Sequence, residues 1–161
     1  MPNACHSLHG SDAVYCLATY YNAILNKTKL PEYDWNVQED GSIRVSTKVR
    51  PKEVLLWQCT NTETRDFRIE TTGKTWTSSR LSPESRGFYV GRVPDPEKGW
   101  TAFMVELTYA EPIKRGLSTK RGGRLGQATG RVGVPFKFTT GVNVLPETMP
   151  FEFKRMPIPN R

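Results

Sequence analysis

A run of six residues, 54–59, limits what this chain can become. It is short, apolar, and bounded by Pro51 on one side and a polar run on the other, which is the pattern of a buried sheet strand. Side chains alternate along a strand, so Leu55, Trp57 and Cys59 fall on one face and Val54, Leu56 and Gln58 on the other. A face that carries an indole needs a partner layer. Residues 101–109 offer one, with Phe103, Val105, Leu107 and Tyr109 on one side and Glu106 and Thr108 on the other. Two such strands predict an antiparallel sandwich.

The neighbouring segments follow the same logic. Residues 34–38 and 42–46 flank Glu39, Asp40 and Gly41, and Asp-Gly between alternating strands is a strong hairpin signal. After a polar turn at 60–64, residues 66–70 read as a further strand. Residues 74–81 alternate Thr and Ser around Trp76 and suit a strand near an edge, and residues 88–93 return after a turn. The turn at 94–99 delivers Trp100 and the Phe103 strand. Residues 134–145 supply a last strand, in which Phe136, Phe138 and Thr140 alternate with Lys137 and Thr139. Prolines 146, 150, 157 and 159 then keep the tail extended. Arg65 and Asp66 invite comparison with an ion-pair site, but adjacent opposite charges more often serve local pairing.

Ahead of the strands, Ser11 or Asp12 can cap a helix over residues 12–25. Val14, Leu17, Ala18, Tyr21 and Leu25 make one stripe of it, by which it should dock. A chain of 161 residues has room for one domain, or one domain and a fragment of another. No run is long and apolar enough to span a bilayer, and Met1 is followed by no charged and then apolar leader. The loop-and-helix opening suggests a start within a longer protein.

The net charge of +7 points to nucleic acid only until it is located. Lys114, Arg115, Lys120, Arg121, Arg124 and Arg131 have no acid among them, and without them the remainder carries +1. The charge belongs to one Gly/Arg-rich loop at about 114–134 that has few large apolar residues. A single Arg-Gly-Gly with no interleaved aromatic argues against nucleic-acid binding. Cys5, Cys16 and Cys59 lack metal-ligand spacing, so no metal and no cofactor is expected. Cys5 and Cys16 are a candidate disulfide if the protein is secreted, with Cys59 a small buried hydrophobe. Asn26-Lys27-Thr28 is a glycosylation sequon just past the helix.

The wording LWQCTNTETRDFRIETTGKTW over 56–76, followed by GFYVGRVPDPEKGWTAFMVELTY over 87–109, resembles the PhoPQ-activated pathogenicity-related protein family. The resemblance covers nearly the whole chain except the Gly/Arg-rich segment, which looks like an insertion. It implies a parent with an α/β-hydrolase-like core and, in eukaryotic members, a secreted signal that restrains cell proliferation. His6, in the context PN-x-x-HSL, matches the histidine between the last sheet strand and last helix of such a core. There it would be the general base for a serine nucleophile; the alternative is an ordinary loop histidine capping the helix. His9 has no role to assign. In α/β-hydrolases the nucleophile and the acid precede this histidine, so the chain by itself is not expected to be an enzyme.

The expected architecture is therefore mostly β. Residues 1–30 are the C-terminal loop and helix of an α/β-hydrolase-like domain, and residues 31–161 are an immunoglobulin/fibronectin-like antiparallel β-sandwich. The expected partners are the missing N-terminal α/β domain and a cell-surface receptor or glycan, and the expected location is extracellular. The competing reading is a stand-alone sandwich that binds a receptor or glycan through Trp35, Trp76 or Trp100, against core packing for all four tryptophans.

Overall fold

The computed structural model describes residues 2–4, 11–110 and 135–149. Cys5, His6, His9, the segment at 114–134 and the chain from residue 150 onward lie outside the described residues. The rest is mostly β, built from two antiparallel sheets with few helices.

Helix α1 spans Ala13–Leu25. The hairpin forms as its Asp-Gly turn predicts: β1 (Tyr33–Val37) pairs antiparallel with β2 (Ile43–Thr47), in a register that sets Val37 opposite Ile43. Strand β3 (Glu53–Asn61) extends the predicted run at both ends. After the short helix α2 (Ile69–Thr72) come β4 (Thr77–Arg80), β5 (Phe88–Gly91) and β6 (Trp100–Tyr109). Strands β7 (Phe136–Thr139) and β8 (Asn143–Leu145) close the series.

The smaller sheet has the order β1-β2-β5. The larger has the order β4-β3-β6-β7, with β8 also pairing β6. As expected, β4 is an edge strand. Strands β3 and β6 are sheet neighbours rather than facing layers: Val54 lies opposite Leu107, Leu56 opposite Val105 and Trp57 opposite Met104. That register overturns the expected placement of the indole. The face turned toward the smaller sheet carries Val54, Leu56, Phe103, Val105 and Leu107, all buried, whereas Leu55 and Trp57 lie on the reverse face and are half-buried. Phe103, Val105 and Leu107 meet Ile43 and Val45 in one core. Those five are the largest fully buried side chains, each contributing about 1.5–3 kcal/mol of transfer free energy.

The two sheets pack tightly at Gly91 of β5, where a Cβ would stand 2.9 Å from Val105 Cγ2 and 3.0 Å from Leu56 Cδ1. At Gly99, φ is +79° and a Cβ would meet the Asn61 carbonyl oxygen at 2.1 Å, so the turn into β6 requires glycine.

Two further expectations are corrected. Residues 66–70 are not a strand. Asp66 accepts the Arg68 backbone N–H at 3.1 Å, both Arg68 guanidinium contacts and the Thr71 hydroxyl at 2.7 Å, and this local bonding turns the chain into α2. Asp66 therefore pairs with Arg68, not Arg65, whose Nη1 reaches Met149 Sδ at 3.5 Å. The Arg68 hydrogen bonds, then Thr71, hold the Asp66 carboxyl well below the usual carboxylate range. The single last strand is two strands, because Thr140 interrupts it. Its N–H donates to the Val105 carbonyl and its Oγ1 accepts the Val105 N–H.

Candidate interaction face

Helix α1 reads AVYCLATYYNAIL and holds no charged residue. A helix this apolar and without charge is normally buried on more than one side. Here one side is covered. Positions advance 100° per residue, which sets Cys16, Thr19 and Ala23 on one side and Val14, Leu17, Tyr21 and Leu25 roughly opposite. Thr19 and Ala23 are the buried residues and Cys16 is half-buried, so α1 docks by its small residues. The expected docking stripe faces outward: Val14 is 64%, Leu17 68%, Tyr21 61% and Leu25 63% exposed. Periodicity found the stripe, and the sheet expected to receive it was one missing upstream of this chain; the contact with the present sheet is made by the opposite side. The spacing of Cys16, Thr19 and Ala23 was the readable sign of the true contact, since small side chains let a helix approach a sheet closely.

The covered side is fixed by charge. Thr108 lies opposite Lys137 in the β6–β7 register, which sets Lys137 on the reverse face of the larger sheet with Glu106. Lys137 Nζ donates to Asp12 Oδ2 at 2.5 Å and lies 3.7 Å from Glu106 Oε1. Burial pulls the Lys137 ammonium down, but the Asp12 hydrogen bond and the Glu106 and Asp12 charges outweigh it and hold it above its ordinary value. Burial, with Asp12 adding, pushes the Cys16 thiol up. A second tie lies at residue 3, where the Asn3 side-chain amide donates to the Trp76 carbonyl at 2.9 Å and accepts the Trp76 N–H at 3.1 Å.

The helix ends in two hydrogen bonds around a left-handed residue. Thr28 N–H donates to the Ala23 carbonyl and Lys27 N–H to the Ile24 carbonyl, with Lys27 at φ +50°. Asn26 is exposed, and its Nδ2 donates to Asn22 O at 2.8 Å and to Asn22 Oδ1 at 2.9 Å.

The other expected residues are placed as follows. Cys16 and Cys59 carry free thiols among the described residues, Cys59 buried in β3 and 3.2 Å from Thr75 Oγ1. Trp76 Nε1 donates to Phe67 O and Trp100 Nε1 to Thr148 O, and both indoles are half-buried. Trp35 is 38% exposed. It lies against Gly141, where a Cβ would come within 2.8 Å of the indole Cη2. Trp35 lies in β1 of the smaller sheet and Trp100 in β6 of the larger. Among the described residues no cluster of His, Cys, Asp or Glu could hold a metal ion, and no helix is long and apolar enough to cross a membrane. An open groove beside the 94–98 turn is lined by Gln58, Thr60, Thr62 and Lys98.

Comparison with known proteins bears out the resemblance seen in the sequence. The family model for PhoPQ-activated pathogenicity-related protein matches residues 1–68. Autocrine proliferation repressor protein A of Dictyostelium discoideum is 26% identical over 171 residues, covering 94% of this chain and 32% of that protein. The chain thus spans about a third of the length of this curated relative. No solved structure matches. The chain is thus similar to the PhoPQ-activated pathogenicity-related family over residues 1–68 and, over nearly its whole length, to the Dictyostelium repressor.

Proposed function

We propose that this chain is the C-terminal portion of a secreted, α/β-hydrolase-like protein and acts in binding or signalling rather than as a catalyst. In this reading α1 is the last helix of the α/β domain, and the two sheets form an immunoglobulin/fibronectin-like sandwich appended to it. The observation that carries the reading is the outward face of α1. Val14, Leu17, Tyr21, Ile24 and Leu25 are each more than half exposed on a helix with no charge. Exposed apolar patches of this kind mark sites of association. The relative, three times as long, is an autocrine repressor of proliferation, which fits a protein that acts from outside the cell. In a full-length parent, His6 would serve as the general base if a nucleophile and an acid stand upstream.

The test is the full-length protein carrying Leu17→Glu and Tyr21→Glu. The expected result is loss of the thermal transition shared by the two parts, with rapid proteolysis near residue 30. The same pair in this chain alone leaves its own unfolding midpoint unchanged. A full-length variant as stable and as abundant in culture medium as the parent would overturn the reading.

Trp35 favours a second reading, a sandwich that binds a receptor or glycan by itself, since it is the most exposed of the indoles and sits on the free edge strand β1. Unchanged affinity of a Trp35→Ala variant for the cell surface would end it.

A further inference from the structure

We infer that Asn26 is an N-glycan attachment site whose glycan leaves the exposed C-terminal end of α1, off the outward apolar face. This rests on the secreted reading above. Asn26-Lys27-Thr28 is the single Asn-x-Ser/Thr sequon in the sequence. It falls where the chain leaves the helix through Lys27 at φ +50°. Asn26 and Lys27 are both exposed, and the contacts of the Asn26 side chain are with Asn22, itself exposed. Asn22 and Asn26 follow one another at four-residue spacing, a polar strip about 100° from the centre of the apolar stripe. Both residues are exposed, so a glycan there meets solvent. An oligosaccharide carried on a lipid pyrophosphate would transfer to Nδ2. A bond forms from the sugar anomeric carbon to Nδ2, the carbon–oxygen bond to pyrophosphate breaks, and the displaced Nδ2 proton goes to base. One N–H remains on Nδ2, enough to keep one of the two contacts with Asn22.

The test uses native protein immunoprecipitated separately from culture medium and from cell lysate, treated with an amidase that releases N-glycans and analysed by peptide mass spectrometry. The expected result is a fall in mass of one glycan with conversion of Asn26 to Asp. The shift should be absent from Asn26→Gln and Thr28→Ala variants and retained in Thr28→Ser, which keeps the sequon. Protein in the medium with unmodified Asn26 would overturn this inference and leave the secreted reading standing. Protein confined to the cytosol would overturn both.

Discussion

Thr140 and Val105 exchange two hydrogen bonds across the larger sheet. The Thr140 N–H reaches the Val105 carbonyl at 2.9 Å, and the Val105 N–H reaches Thr140 Oγ1 at 3.0 Å. Both residues are buried. A side-chain oxygen thus replaces a backbone carbonyl where β7 gives way to β8. Thr140→Val keeps the shape but strands the Val105 N–H, and an unsatisfied buried donor costs about 1–3 kcal/mol. Urea unfolding should show a lower midpoint at unchanged slope, and Thr140→Ser should restore most of it.

Gly91→Ala should destabilise by overpacking, by about 1–3 kcal/mol, because the new methyl lands on Val105 Cγ2 and Leu56 Cδ1 at about van der Waals overlap. The combination with Val105→Ala should cost less than the two single changes together, since the second makes room for the first. Additive values in a double-mutant cycle would show that the sheets separate rather than crowd.

Tyr109 has a hydroxyl with no hydrogen-bond partner among the described residues, in a side chain only 2% exposed. Burial, with the nearby Tyr33 and Tyr89 adding, pushes its pKa up to about 12. A raised folded pKa means that the unfolded chain loses the proton first, at about 10. Stability is therefore full below that pH and lost as pH rises toward 12. Tyr109→Phe should raise stability at neutral pH by about 1 kcal/mol and flatten the alkaline limb of a stability–pH curve.

Glu32 shows the opposite sign. Hydrogen bonds from Lys29, then Lys48, and their charges hold its carboxyl at about 2. A depressed folded pKa contributes above the unfolded value of about 4.3 and is lost as pH falls through about 2. Glu32→Gln should narrow the difference between neutral and acid stability, and the effect should shrink in molar salt because the pair is exposed.

Elements whose pattern is set by alternation were legible in the sequence. The β1–β2 hairpin, the edge strand β4 and the Phe103–Val105–Leu107 face were all readable from spacing. What failed depended on contacts that spacing does not contain. The Leu17–Tyr21 stripe was found, but that the opposite side meets a sheet of this chain shows only in the burial of Thr19 and Ala23 and in the Lys137–Asp12 bridge. Residues 66–70 have strand-like composition, and the Asp66 carboxylate overrides it with four local bonds. The break between β7 and β8 turns on one hydroxyl. Of the candidate site residues, Asn26 appeared where its turn was expected. Trp35, Trp76 and Trp100 were chosen by type, and their burial and hydrogen-bond partners could not be read from spacing.

Strand β6 is bonded along both of its edges, to β3 on one side and to β7 and β8 on the other, and from Thr101 to Tyr109 every residue is buried. It has no edge at which to fray. Its amides can meet deuterium only when the whole assembly opens, so they should exchange last and at the rate of global unfolding. The slowest protons in the protein are then a clock: any ligand or attached domain that steadies the fold will be read first, and in full, along this one strand.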